Sequence, residues 1–144
     1  MSALINNLTG IIIARDEAKN ILDCLENLAH LTDQILVIDN NSIDQTALLA
    51  QNFGASVIKL DSQNFSDLRN KALNYVKTDW LLYLDADERI TPDLATEIAQ
   101  LIDTRAYSAG SFTRQNYFYG RQITAGGYQN DLVTRLFLRK SLRS

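Results

Sequence analysis

The feature that most constrains this chain is the alternation, over its first hundred residues, of short apolar runs with segments of helical periodicity. A run such as Ile11-Ile12-Ile13-Ala14 is continuously apolar, which is typical of a strand buried on both faces of a parallel sheet. Strand followed by helix, several times over, predicts an α/β fold with a mostly parallel, Rossmann-like sheet and helices on both of its faces. The predicted strands are Gly10–Ala14, Gln34–Asp39, Ser56–Leu60 and Trp80–Leu84.

Local signals predict where the intervening helices begin and end. Asp16 is predicted to cap the first helix, whose apolar positions share one face. Ser42-Ile43-Asp44-Gln45 fits a capping box that opens the second helix, and Gly54 is predicted to end it. A third helix is predicted over Phe65–Val76, and Thr91-Pro92 places good cap and first-turn residues at the start of a fourth. The apolar positions of the first helix are Ile21, Leu22, Leu25 and Leu28.

The pattern changes after Thr104. Ser108–Tyr119 and Asp131–Lys140 are predicted to be longer strands, separated by a loop over Gly120–Gly127. The 144 residues suffice for one ordinary domain. We therefore expect a single domain over residues 1–144, with a mixed-sheet part that starts near residue 105.

Charge is distributed unevenly along the chain. Residues 1–104 carry seven basic and sixteen acidic side chains, whereas residues 105–144 carry seven basic side chains and one acidic one, Asp131. Such a basic end either faces an anionic partner or pairs with acidic neighbours in the body of the protein. The isoelectric point of about 5.0 argues against a nucleic-acid partner. No run approaches the length of a membrane helix and the first residues lack signal-peptide character, so we expect a cytoplasmic protein.

Two residue types that often carry chemistry occur once each. Cys24 is the single cysteine, which excludes an intramolecular disulfide, and its place among helical apolar residues predicts a buried, inert thiol. His30 has no second histidine with which to share a metal, and we expect it at a helix end or on the surface.

Charged residues follow three of the predicted strands, where an open parallel sheet binds its ligands. An acidic residue at one strand end is commonly only a helix cap, but three such ends together indicate a site. If the chain stays extended, Asp85 and Asp87 project from one side about 6–7 Å apart. Carboxylates without nearby histidine or cysteine suit Mg²⁺ or Mn²⁺ rather than zinc. The three segments are Ala14-Arg15-Asp16-Glu17, Asp39-Asn40-Asn41-Ser42 and Asp85-Ala86-Asp87-Glu88.

Four motifs follow one another along the chain: Ile11–Glu17, Val37–Thr46, Arg69-Asn70-Lys71-Ala72-Leu73 and Trp80–Glu88. In this order they resemble the family 2 inverting glycosyltransferases, which have the GT-A fold. The later Gly126-Gly127-Tyr128 and Arg135-Leu136-Phe137-Leu138-Arg139 are similar to a subgroup that includes lipopolysaccharide-core glucosyltransferases. The resemblance extends from Thr9 to Lys140.

The resemblance implies a nucleoside-diphosphate sugar donor, in most family members a UDP-sugar, and a glycan or glycolipid acceptor. It implies that residues 1–104 form the nucleotide-sugar-binding half and that residues 105–144 begin the acceptor half. By resemblance, Ala14, Arg15 and Glu17 lie along the nucleotide. Asp39 accepts a hydrogen bond from the base, and Arg69 either lies near the diphosphate or holds Asp39.

The same resemblance assigns the metal and the chemical step. Asp85 contacts the ribose or the metal shell, and Asp87 is the direct ligand of Mg²⁺ or Mn²⁺. Asp44 is interpreted as a helix-start acid and is left out of the site. An inverting transfer needs a base for the acceptor hydroxyl, and Asp131 is the candidate, although it could instead orient Arg135.

Two other classes of function stay open on the sequence. Family members normally continue past Ser144, so this chain is expected to be a fragment, and a non-catalytic nucleotide-sugar-binding subunit is an alternative to an enzyme. A phospho-acceptor receiver domain also places acids at strand ends, but the third predicted strand ends in Leu60-Asp61 and no matching lysine follows.

The basic end suggests a further hypothesis about the acceptor. Strand alternation places Arg135 and Arg139 on one face, which we expect beside the donor cleft. The cations would then favour an anionic glycolipid at the inner membrane surface, each contributing about 1 kcal/mol. The alternative is that Arg135 pairs with Asp131 or another carboxylate. The basic residues concerned are Arg121, Arg135, Arg139, Lys140 and Arg143.

Overall fold

A computed structural model describes residues 4–103 and 136–139 of the chain. These residues form one five-stranded sheet and the helices that cover it. No helix in these two ranges is long and apolar enough to cross a membrane. The strands are β1 (Leu8–Ala14), β2 (Ile35–Asn40), β3 (Ser56–Leu60), β4 (Trp80–Asp85) and β5 (Leu136–Leu138). The helices are α1 (Ile21–Ala29), α2 (Thr46–Phe53), α3 (Phe65–Ala72) and α4 (Pro92–Asp103), and a 3₁₀ turn over Leu73–Tyr75 follows α3.

The strand order is β3-β2-β1-β4-β5. β1 to β4 pair in parallel, and β5 pairs antiparallel with β4. Because the chain moves outward from β1 to β3 and then returns to the other side of β1, the carboxyl ends of β1 and β4 form a topological switch point. The predicted α/β fold with a mostly parallel, mixed sheet is confirmed.

The sheet has a buried core on each face. β1 is buried along its whole length, which explains its continuous apolar sequence. Helices α1, α2 and α4 cover one face, and α3 covers the other. Core residues of the first face include Ile12, Leu25, Leu28, Leu82, Leu84, Leu94 and Ile98. Those of the second face include Ile11, Ile13, Ile38, Leu68, Ala72, Tyr83 and Phe137.

Helix α1 packs tightly against the sheet at Gly10. A Cβ atom built on Gly10 would lie 2.5 Å from Cδ2 of Leu28, whose side chain is fully buried. A methyl group at that separation would overlap the leucine, so the seating of α1 on β1 depends on the absence of a side chain at this position.

Two predicted helix caps are wrong. Helix α1 begins at Ile21 behind Asn20, which makes no side-chain cap, and Asp16 lies four residues earlier with φ of 55°. Helix α2 begins at Thr46, and Ser42 receives a hydrogen bond from another loop instead of from its own helix. In both cases a contact with a distant loop replaced the local cap that the sequence predicted.

Helix α3 begins at Phe65 as predicted but ends at Ala72, four residues before the predicted Val76, where the 3₁₀ turn follows. The predicted signals at the end of α2 and at the start of α4 agree with the structure. Gly54 ends α2 with φ of 112°, and Oγ1 of Thr91 accepts a hydrogen bond from the Leu94 amide at the start of α4. Asn64 caps α3 through its side chain. Of the two later predicted strands, β5 lies within Asp131–Lys140, whereas Ser108–Tyr119 lies outside the described residues.

Candidate functional site

The acidic strand ends predicted from the sequence meet at one edge of the sheet. In the strand register Ala14 lies opposite Asp39, and Ile13 lies opposite Asp85. Since neighbouring strands are about 4.8 Å apart, the backbones of Asp39 and Asp85 lie about 10 Å apart on either side of β1. The loops after β1, β2 and β4 therefore border a common space at the switch point.

The loops after β1 and β2 are joined by hydrogen bonds through Asp16. Its Oδ1 accepts a hydrogen bond from the Ile43 amide at 2.7 Å, and its own amide donates to Oγ of Ser42 at 2.8 Å. Asp16 and Asn41, one in each loop, are the described residues other than glycine with positive φ, at 55° and 61°. Backbone of this kind persists only where its surroundings fix it, and here the two loops fix each other.

A second pair of contacts joins the same loops closer to α2. The Glu17 amide donates to Oγ1 of Thr46 at 2.9 Å, and the Ala18 amide donates to Oδ2 of Asp44 at 3.1 Å. Asp44 also accepts from the Thr46 amide at the first turn of α2. These hydrogen bonds, that from the Thr46 side chain above all, lower the pKa of Asp44. The interpretation of Asp44 as a helix-start acid is confirmed.

Asp39 is held at the end of β2 with only 3% of its surface exposed. Its Oδ1 accepts a hydrogen bond of 3.3 Å from the Ser42 amide. The next residue, Asn40, exchanges two hydrogen bonds of 3.0 Å with the backbone of Ser62, which fixes the loop after β3. Ala14 is buried beside Asp39, and Arg15 is exposed just beyond it.

The loop Asp85–Glu88, called the acidic loop below, is a closed turn. The Glu88 amide donates to the Asp85 carbonyl at 2.9 Å, and the Asp85 amide donates to Oε1 of Glu88 at 2.8 Å. The segment does not stay extended, because the Glu88 carboxylate turns back onto the backbone that precedes it, so the spacing worked out for an extended chain does not apply. Asp85 is half-buried, Asp87 is exposed, and Glu88 is 3% exposed.

Arg89 and Asn27 hold this loop, and sequence reasoning missed both. Nη1 of Arg89 donates to the carbonyls of Ala86 and Glu88, each at 2.7 Å. Asn27, on α1, exchanges hydrogen bonds of 3.0 and 2.7 Å with the carbonyl and amide of Ile90. The sequence held one signal for this role, which is that Arg89 directly follows the acidic residues of the loop.

Cys24 also touches the acidic loop from α1. Its thiol donates to the Asp85 carbonyl at 3.7 Å. Burial raises the pKa of this thiol to about 12, which keeps it protonated. The prediction of a buried cysteine is confirmed, and its lack of reactivity stays a prediction. His30 lies exposed at the C-terminal cap of α1 as expected.

Arg69 rests on an aromatic ring. Its guanidinium carbon lies 4.9 Å from the ring centre of Tyr83, whose hydroxyl donates to the Arg69 carbonyl at 3.3 Å. Within the described ranges its buried Nε has no hydrogen-bond partner and no ion pair joins it to Asp39. The guanidinium therefore packs on Tyr83 on the α3 face of the sheet, and the suggestion that it holds Asp39 is wrong. Burial raises the pKa of Tyr83 to about 12.

The donor set of the acidic loop fits a hard divalent cation. The Asp87 carboxylate makes no hydrogen bond or ion pair with any other residue that the structure describes, and it faces solvent. In those ranges no group of three His, Cys, Asp or Glu side chains could hold a metal by itself. Asp85 and Asp87 could thus supply part of an oxygen shell that water and a bound phosphate complete, as Mg²⁺ and Mn²⁺ prefer.

The predicted residues of the basic end have different outcomes. Nε of Arg139 donates to the Thr78 carbonyl at 2.7 Å, and its Nη2 lies 3.9 Å from Oδ1 of Asp79. Because β5 runs antiparallel to β4, Arg139 lies at the amino end of β4, away from the acidic loop. The prediction that Arg139 lies beside the donor cleft is wrong. Asp131, Arg121, Arg135, Lys140 and Arg143 lie outside the described residues.

Solved structures share this fold. Mannosyl-3-phosphoglycerate synthase from Rubrobacter xylanophilus aligns over 75% of this chain and 38% of its own, with a TM-score of 0.60 and 25% identity. Glucosyl-3-phosphoglycerate synthase from Mycobacterium tuberculosis, solved with Mn²⁺, UDP and glucosyl-3-phosphoglycerate, aligns over 75% of this chain and 42% of its own, with a TM-score of 0.59 and 18% identity. A mannosyltransferase from Pyrobaculum calidifontis, solved with GDP-mannose and Mn²⁺, has a TM-score of 0.59 at 21% identity, over 68% of this chain and 33% of its own.

Sequence comparison gives the family. A TPR repeat-containing protein of Synechococcus elongatus is 30% identical over 95% of this chain and 33% of its own length. An uncharacterized glycosyltransferase of Rickettsia bellii is 30% identical over 66% of this chain and 32% of its own. The chain therefore spans about a third of the length of these relatives. The profile of glycosyl transferase family 2 matches residues 9–142, nearly the whole sequence, and the chain belongs to that family.

Proposed function

We propose that this chain binds a nucleoside-diphosphate sugar together with a divalent cation and takes part in transfer of the sugar to an acceptor hydroxyl. The observation that carries the proposal is the acidic loop at the switch point: Asp87 is exposed in the loop that follows β4, and β4 pairs with β1, whose other neighbour ends at Asp39. The neighbours solved with Mn²⁺ and a nucleotide or nucleotide sugar support it.

The nucleotide is proposed to lie across the ends of β1 and β2. Asp39 offers a buried carboxylate as acceptor for an N–H group of the base, and uracil is the base we propose. Arg15 brings an exposed cation to the diphosphate, and Ala14 leaves room beside it. The Glu17 carboxylate already accepts a hydrogen bond from Asn20 at 2.9 Å, so its contribution is to fix the loop along the nucleotide.

The cation, Mg²⁺ or Mn²⁺, is proposed to bind Asp87 directly, with Asp85 in its shell or on the ribose. When bound, such an ion neutralises the charge that develops on the diphosphate leaving group. Arg69, stacked on Tyr83 with its Nε unpartnered within the described residues, is proposed to strengthen the positive potential that the diphosphate meets.

Titration calorimetry with UDP, with Mn²⁺ and with EDTA, tests donor binding. We expect Mn²⁺ to strengthen UDP binding. In Asp87→Asn the ratio of UDP affinity with Mn²⁺ to that with EDTA should be lower by a factor of at least about ten, or 1.4 kcal/mol. Asp93→Asn is the matched control, because Asp93 is an exposed acid at the start of α4. No UDP binding by the parent chain, or an equal gain in Asp87→Asn, would refute the proposal.

We propose inversion at the anomeric carbon, with Asp131 as the base that accepts the proton of the acceptor hydroxyl. In this proposal residues 1–104 form the donor half and residues 105–144 begin the acceptor half. Transfer from UDP-glucose by the parent chain, absent in Asp131→Asn with donor binding retained, would support these assignments. Donor binding with neither hydrolysis nor transfer would instead favour a binding subunit.

The acceptor is proposed to be an anionic cell-envelope glycolipid, as in lipopolysaccharide-core synthesis, reached from the cytoplasmic side of the inner membrane. The support is the charge of residues 105–144, seven cations against one acid. Co-sedimentation with anionic vesicles at low salt, beyond that with neutral vesicles, is expected. Equal co-sedimentation with both would refute membrane contact without affecting the donor site.

A further inference from the structure

We propose that Arg89 is a positioning residue that sets the conformation of the acidic loop and so the affinity for the metal and diphosphate together. The metal part of this inference rests on the proposed function. Arg89 itself needs no contact with donor or acceptor, because it acts through the backbone of the loop.

The contacts of Arg89 lie on both sides of the proposed metal ligand. One guanidinium nitrogen donates to the carbonyls of Ala86 and Glu88, which directly precede and follow Asp87 in the chain. Both hydrogen bonds are 2.7 Å long. With the carbonyls on either side fixed to one atom, the backbone of Asp87 is held in a single turn, and the direction in which its carboxylate leaves that turn is restricted.

The other end of the guanidinium connects the loop to α1. Nη2 of Arg89 donates to the Asn20 carbonyl at 3.3 Å, directly before the first turn of the helix. Glu17 holds Asn20 in turn through a side-chain hydrogen bond. The acidic loop is thereby tied to the loop after β1, which borders the proposed nucleotide site. A planar fork can satisfy three carbonyls at once, whereas a lysine ammonium on a flexible stem cannot be expected to do so.

Charge alone is the competing explanation. Arg89 directly follows three acidic residues in the chain, Asp85, Asp87 and Glu88, and a charge role would require only that its cation offset their repulsion, whatever its hydrogen bonds. Arg89→Lys keeps the charge and loses the fork, whereas Arg89→Met loses both. The positioning role predicts that the two variants behave alike, and the charge role predicts that lysine restores the parent behaviour.

The first measurement needs no ligand. Amide hydrogen exchange reports on the Asp85 and Glu88 amides, which are both hydrogen-bonded within the loop. We expect exchange at least about tenfold faster in both Arg89 variants, with β1 amides unchanged as the internal measure of folding. Lys77→Met is the control, since it removes an exposed cation that precedes β4 at the opposite edge of the sheet.

The second measurement is UDP binding with Mn²⁺ and with EDTA. We expect both variants to bind UDP in EDTA as the parent does. The increase in UDP affinity that Mn²⁺ produces should be about 10–100-fold smaller in both variants, which is the usual cost of removing a group that orients a metal ligand. The inference would be overturned if Arg89→Met kept the parent's amide exchange and the parent's increase in UDP affinity with Mn²⁺. It would also be overturned if Arg89→Lys restored both of these properties to the parent values. A parent that binds no UDP refutes the proposed function instead, and faster exchange in the variants would still support the positioning of the loop.

Discussion

Replacing Gly10 by alanine tests how the position of α1 is set. The added Cβ would lie 2.5, 2.9 and 3.0 Å from three carbons of Leu28, where ordinary carbon contacts are about 3.5–4.0 Å. Leu28 is fully buried, so it can yield only by moving neighbours or the helix. Overpacking costs about 1–3 kcal/mol, and removing a strand glycine returns about 0.5–1 kcal/mol. We expect Gly10→Ala to lower the free energy of unfolding by about 1–2 kcal/mol.

A double-mutant cycle identifies the contact responsible. Leu28→Ala alone should cost about 2–5 kcal/mol, because it leaves a cavity against β1. In the double variant the new methyl group enters that cavity. The double variant should therefore lose about 1–2 kcal/mol less unfolding free energy than the sum of the losses in the two single variants. Urea unfolding followed by circular dichroism measures all four proteins.

Gly54→Ala is the matched control for this cycle. Gly54 has φ of 112°, and no atom lies within 4 Å of its Cβ position. The same substitution should therefore destabilise through backbone strain alone and be additive with Leu28→Ala. Additivity of Gly10→Ala with Leu28→Ala would refute the argument that the close approach of α1 requires glycine at this site.

Two further predictions concern groups around the site. Asp16→Asn keeps the acceptor oxygen and tolerates positive φ, so it should leave the urea midpoint nearly unchanged, whereas Asp16→Ala should lose about 1–3 kcal/mol; equal midpoints would contradict the role given to Asp16. Cys24 has a pKa raised from 9.0 to about 12, so its contribution to stability is complete below pH 9 and is lost as the pH rises from 9 to 12. Native Cys24 should thus resist iodoacetamide at pH 8, and Cys24→Ala should flatten the alkaline fall in urea midpoint relative to the parent chain; rapid alkylation of the folded chain would contradict its burial.

The parallel sheet could be predicted because burial on both faces leaves a direct trace in the sequence. Gly10–Ala14 was predicted as a strand, and β1 extends it by only two residues, to Leu8. The gathering of acids at one edge followed from the same prediction, because all parallel strands end there. Residue type and the parallel arrangement of the strands therefore carry most of the information about where this candidate site lies.

The shape of the loops could not be predicted in the same way. Asp16 has the composition of a helix cap, but its acceptor oxygen is used by an amide 27 residues away. Asp85 ends a strand, but the chain does not continue extended to Asp87, because the Glu88 side chain accepts a hydrogen bond from the Asp85 amide and closes a turn. Each of these loop conformations depends on which backbone amide lies within hydrogen-bonding distance of the side-chain oxygen once the chain has folded. Periodicity and residue spacing carry no information about that choice.

Helix α1 contacts both the core of the sheet and the segment that contains the acidic loop. Gly10 and Leu28 set its distance from the sheet, while Cys24 and Asn27 hold the two ends of the segment that contains the acidic loop. A shift of α1 caused by an added methyl group at Gly10 should therefore displace the acidic loop, although no atom of Gly10 lies in it. The gain in UDP binding from Mn²⁺ should then fall in Gly10→Ala and stay at the parent value in Gly54→Ala, even where the two variants are equally destabilised. If the gain instead followed overall stability in both, the acidic loop would be independent of α1, and the coupling inferred from these contacts would be wrong.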